Sequence, residues 1–131
     1  MTTIESKHVQ ISKPKNEVVA YVSDMRNFEK LLPKERISDF QSDGQSCSFK
    51  IQGMATIGLK VEEVLEDKIK LVSTDSPFKF DIDIILDEND SSTKAFQIVN
   101  LDLNPMMKMM VEKPLRNLFD HIATRLEAEL G

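Results

Sequence analysis

Tryptophan is absent from the 131-residue chain, which also holds one tyrosine, one cysteine, four glycines and two histidines. Each shortage removes a class of chemistry. A lone Cys47 can neither close an internal disulfide nor supply a thiolate metal cluster, and it suits a reducing compartment. His8 and His121 have no paired spacing, so no protein-built metal site is expected. There is no Gly-rich phosphate loop, no G-x-S-x-G elbow and no H-E-x-x-H pair; Gly53 and Gly58 read as a turn and a strand bend. Basic residues number 17 against 22 acidic ones, for a net charge of −5. With no basic run to neutralise a phosphate backbone, nucleic acid is not an expected partner. No apolar run approaches the roughly 18 residues of a spanning helix. The opening "MTTIESKHVQIS" alternates polar and apolar residues, as a strand does, and lacks the continuous apolar stretch of a signal peptide. The expectation is a soluble cytoplasmic protein without stable membrane insertion, cofactor, metal or visible catalytic constellation.

The length is that of one domain, 1–131, able to bury roughly two-thirds of its unfolded surface. Residues 3–12 alternate through Ile4, Val9 and Ile11 and stop at "SKPKNE", where Ser12 can cap a helix and Pro14 can sit in its first turn. In "EVVAYVSDMRNFEKLLP" apolar residues recur at three and four positions, with Asp24 placed to cap a second short helix that Pro33 ends. From Arg36 to Leu103 the period falls to two, punctuated by turn residues at 43–44, 66–68, 75–77 and 87–92. The alternations Cys47-Phe49-Ile51, Ile57-Leu59-Val61, Ile69-Leu71, Phe80-Ile82-Ile84-Leu86 and Val99-Leu101-Leu103 each give one apolar face. Lys50, Lys60, Lys70, Lys79, Asp81 and Asp83 fall on the other, so the sheet has one dry face.

Asn104-Pro105 is a cap followed by a first-turn proline, and it opens about 26 residues of helical pattern, roughly 39 Å long. Met107, Met110, Val111, Pro114, Leu115, Leu118, Ile122 and Leu126 form one stripe that needs an apolar partner. The segment "NPMMKMMVEKPL" concentrates four of the seven methionines in five positions. Methionine is unbranched and polarizable, so Met107 and Met110 suit either ordinary core filling or the wall of a cavity that changes shape around a guest. Pro114 removes the helix bond to the Met110 carbonyl and predicts a bend there. Met109 lies off the stripe, where it suits exposure or a subunit contact, and a homodimer is left open.

A strand, two short helices, about six further antiparallel strands and a long closing helix resemble the START-like superfamily, also called SRPBCC or the helix-grip fold. The resemblance spans nearly the whole chain. It is carried by "ISKPKNEVVAYVSDMRNFEKLLP" and by "LNPMMKMMVEKPLRNLFDHIATRLEAEL", neither of which is a catalytic signature. It implies an α+β helix-grip fold, a curved antiparallel sheet of about seven strands wrapped around the C-terminal helix. It also implies a hydrophobic cavity between the two that holds a lipid, polyketide or isoprenoid-like molecule.

On that basis Phe49, Ile57, Leu59, Phe80, Ile82, Val99, Met107, Met110 and Leu118 are expected to line a ligand cavity. Gln97 continues the dry face of its strand, so its amide points toward the helix and needs a partner there, whether guest, backbone or water. Glu63, Ser73 and His121 raise the same question, although a bulge would turn either strand residue outward. With few polar groups available and Arg125 the only evident clamp for an anion, the favoured guest is mainly hydrocarbon with a neutral head. Two further readings remain. One is a polyketide cyclase or dehydratase-type enzyme, which needs Gln97, Glu63 and His121 to converge. The other is a protein-interaction module of the co-chaperone or toxin-like type, which needs a packed interior and an exposed apolar patch.

Overall fold

A computed structural model describes residues 2–53 and 55–131. The alternation expected as one strand over 3–12 is two strands, β1 (Thr2–Glu5) and β2 (Val9–Ile11), both antiparallel to β8 (Ser92–Leu101). Glu5 faces Ile98 and Val9 faces Ala95, so Ser6, Lys7 and His8 stand opposite only Phe96 and Gln97. The extra residue is a bulge, and its polar groups are satisfied outside the ladder. Ser6 exchanges two 2.9 Å hydrogen bonds with the Gln97 backbone, and the Lys7 N–H donates to Asp120 Oδ1 at 2.8 Å.

α1 spans Lys15–Val22, with Pro14 and not Ser12 at its N-cap. The second short helix, Met25–Leu31, is a 3-10 helix whose Asp24 side chain accepts from the Arg26 N–H at 3.0 Å. Leu32, which precedes Pro33, is extended, as the proline ring requires. The strands β3 (Ile37–Ser42), β4 (Ser46–Ile51), β5 (Thr56–Val64), β6 (Lys68–Ser73) and β7 (Phe80–Asn89) complete an antiparallel sheet of order β1-β8-β7-β6-β5-β4-β3, with β2 also on β8.

β7 and β8 are joined by Asp90 and Ser91, both at positive φ (54° and 66°), the mirror-type turn whose twist matches a hairpin. Edge strand β3 carries a bulge in which Asp39 and Phe40 oppose Phe49, with Asp39 left-handed at φ 55°. Gly58 in β5 approaches the turn after β6 so closely that a Cβ would lie 2.1 Å from Thr74 Oγ1.

α2 (Pro105–Leu130) opens on Asn104, whose Oδ1 accepts from the Met107 N–H at 2.8 Å, and continues through Pro114 as one helix. It packs against β2, the 3-10 helix, β8 and β1. Its buried residues, Leu115, Phe119, Ile122, Ala123 and Leu126, all lie beyond Pro114. The alternating dry face is buried as the pattern predicts, through Phe49, Ile57, Leu59, Ile69, Leu71, Ile82, Leu86, Val99 and Leu101. The result is an α+β helix-grip architecture, a curved sheet closed over the C-terminal half of α2.

Candidate functional site

Two hollows lie side by side under α2. The inner one, about 20 Å³, is lined only by apolar residues: Phe49, Ile51, Ile57, Leu59, Phe78, Phe80, Leu101, Leu115, Leu118 and Phe119. It has room for about one water, but no polar partner to hold one there. The outer one is an open cleft of about 540 Å³ between the middle of α2, from Met110 to His121, the Pro33–Arg36 turn and the end of β4. Its walls combine Pro33, Ile51, Gly53, Met110, Val111, Pro114 and Leu118 with Glu35, Arg36, Gln52, Asn117 and His121. Ile51 and Leu118 line both hollows, so the cleft and the phenylalanine-lined interior adjoin at these two residues.

The sequence-derived cavity set is divided by this geometry. Phe49, Ile57, Leu59, Phe80 and Leu118 surround the inner void. Met110 is 69 % exposed and borders the cleft instead. Ile82 and Val99 are fully buried and Met107 half-buried in the packed core, and none of the three borders either hollow. Gln97 is also packed: its Nε2 donates to the Phe119 carbonyl at 3.1 Å, while its Oε1 is buried without a partner. Glu63 is exposed, because the bulge after Val61 pairs it with Lys70 on the outer face. Ser73 Oγ accepts from the Phe80 N–H at 3.2 Å. His121 is half-buried and faces the cleft. Gln97, Glu63 and His121 therefore occupy three separate places.

Sequence reasoning missed Phe78 and Phe119 in the inner wall and Glu35, Arg36, Gln52 and Asn117 in the outer one. Phe119 sits one step beyond the edge of the assumed helix stripe, a signal that a wider stripe would have caught. Arg36 stands at the junction of turn and strand, where neither period applies.

The charges around α2 are mostly paired. Arg26 meets Asp24 at 2.8 Å, Arg116 meets Glu112 at 3.6 Å and Arg125 meets Glu129 at 2.7 Å. Arg125 also donates to the Lys30 carbonyl at 3.4 Å, so it is committed away from both hollows and is not the anion clamp the sequence suggested. The remaining arginine, Arg36, has no carboxylate within 4.0 Å among the described residues and borders the cleft. Burial pushes the Cys47 thiol up to about 12, so it stays protonated and unreactive at neutral pH. Among the described residues no three His, Cys, Asp or Glu side chains are grouped to hold a metal ion, and no helix is long and apolar enough to cross a membrane.

A grip of sheet on helix with hollows between them is the START-like fold, and comparison with solved structures agrees. The chain superposes on a START superfamily protein from Mycobacterium smegmatis with a TM-score of 0.68 at 16% identity, over 98% of this chain and 96% of that one. The KanY protein gives a TM-score of 0.76 at 16% identity over 99% of each chain. XoxI from Bacillus cereus gives 0.75 at 11% identity over 99% of this chain and 96% of that one. No protein-family model and no curated protein sequence matches the chain.

Proposed function

We propose that this protein binds a small, mainly apolar molecule, of lipid, polyketide or isoprenoid type, in the cytoplasm. The guest lies in the cleft beside α2 and its apolar end displaces Ile51 or Leu118 to enter the phenylalanine-lined interior. The observation that carries this reading is the pair of side chains shared by the two hollows. Rotamer changes at one or two exposed-side aliphatic residues are far less costly than opening a packed core. Apolar area supplies the affinity, at about 25 cal/mol per Å², so a guest of modest size reaches the micromolar range, roughly −8 kcal/mol. The cyclase or dehydratase reading has less support, since Gln97, Glu63 and His121 do not meet.

A long-chain fluorescent probe tests the proposal. Wild type is expected to bind it in the micromolar range. Leu118→Trp, which fills the passage, should weaken binding at least tenfold, whereas Met109→Asp, on the opposite side of the same helix, should leave it unchanged. Equal binding by the two folded variants, or none by the wild type, removes the proposal. A second reading, a protein-interaction module, rests on the near-closed interior and on Met106, Met109 and Met110, which are 72 %, 87 % and 69 % exposed along one stretch of helix. It predicts the reverse: no probe binding, and loss of a partner with Met109→Asp.

A further inference from the structure

Within the apolar-guest reading, on which this step rests, the polar side of the cleft narrows the class of guest. We infer that the guest is a monocarboxylate, an aliphatic or aromatic acid whose carboxylate is held at the cleft mouth by Arg36 while its apolar body lies against Ile51, Val111 and Leu118.

Three of the four arginines are held by carboxylates on their own or the next helical turn. Arg36 alone is not, although Glu35 is its chain neighbour and borders the same cleft. The Arg36 backbone is fixed from both sides: its N–H donates to the Pro33 carbonyl at 3.0 Å and its carbonyl accepts from the Gln52 N–H at 2.8 Å. The side chain thus springs from an anchored point while its guanidinium has no protein anion to satisfy it.

His121 and Asn117, one helical turn apart on α2, also border the cleft, and neither side chain makes a hydrogen bond among the described residues. A guanidinium fork matches a carboxylate in two parallel hydrogen bonds, which a hydroxyl or a carbonyl cannot reproduce. Arg36 is exposed at the cleft mouth, so the charged pair forms in contact with water while the apolar residues of the cleft hold the body of the guest. A dianion or phosphate would gain less, because the Glu35 carboxylate opposes a second negative charge at the same mouth.

The test compares dodecanoate with dodecanol, by displacement of the fluorescent probe from the full chain below the micelle concentrations of both. Wild type should prefer the acid at least tenfold. Arg36→Gln should abolish that preference by weakening dodecanoate at least tenfold more than dodecanol; Arg36→Lys should recover part of it, and Glu35→Gln should strengthen dodecanoate more than dodecanol. Neither backbone bond of Arg36 involves the side chains replaced, and circular dichroism of each variant checks the fold. Equal affinity for acid and alcohol in the wild type, or an acid preference that persists in Arg36→Gln, overturns the carboxylate assignment while leaving the apolar-guest reading standing. A bound probe that neither compound displaces also overturns the carboxylate assignment alone, whereas failure of the probe to bind removes both.

Discussion

A glutamine in the middle of an apolar strand face either finds a partner or costs stability, and Gln97 does both. Its Nε2 reaches the Phe119 carbonyl, and its Oε1 remains buried and unpaired. The alternation of β8 already required the amide to point at the helix. Which atom would be satisfied depended on the rotation of α2, which no local pattern reports. An unpaired buried carbonyl costs about 1–3 kcal/mol, and a hydrogen bond contributes about 1. Phe119 is a helix-interior residue whose carbonyl keeps its intrahelical bond. Gln97→Leu is therefore expected to change stability by no more than about 1 kcal/mol, whereas Gln97→Ala, which empties the site, should cost roughly 2–3. Chemical denaturation of both variants checks this, and a Gln97→Leu protein that loses several kcal/mol would show a role for the amide beyond packing.

At the scale of the element, α2 is one helix with two occupations. From Leu115 onward it is docked by Phe119, Ile122, Ala123 and Leu126; before that none of its residues is buried. The apolar stripe read from the sequence is broad because its two flanks serve different surroundings. Leu115, Ile122 and Leu126 turn to the core, and Met110, Val111, Pro114 and Leu118 turn to the cleft. Placing the stripe on a single partner put Met110 around the same void as Phe49 and Leu59, whereas it borders the outer cleft, and left Phe119 out. Pro114 falls at the boundary, and Met110, four residues earlier, loses its helix-bond donor on the side where both border the cleft. Amides of Met107–Lys113 should therefore exchange with solvent well before those of Phe119–Leu126. Pro114→Ala should narrow that gap and raise the stability of the chain by about 1–3 kcal/mol, while slowing entry of a guest that needs the first half of α2 to move. Uniform exchange along the helix would show that the halves are not independent.

For the whole molecule, strand periodicity made the architecture legible, because each apolar alternation had to face the same side of one sheet. Its interruptions were not legible. The bulges at Ser6–His8, Asp39 and Glu62 each add one residue to a ladder, and only the bulge at Asp39 carries a left-handed residue. The cleft was hidden for a related reason: it lies where turn, strand end and helix meet, and no repeating pattern crosses such a junction.

The bulge of β3 also bears on how copies of the chain meet one another. β3 forms one edge of the sheet, and a straight edge is a template on which a second chain can add its own strand. Asp39, kinked out of the ladder and charged, spoils that template. Asp39→Val, with a β-branched residue that resists positive φ, should straighten the edge and make the protein self-associate as its concentration rises, whereas Asp39→Gly should keep the kink and the wild-type behaviour. Light scattering across a dilution series separates the two. Identical profiles would mean that shielding by the neighbouring 3-10 helix, and not the kink, keeps this edge from propagating into a fibre.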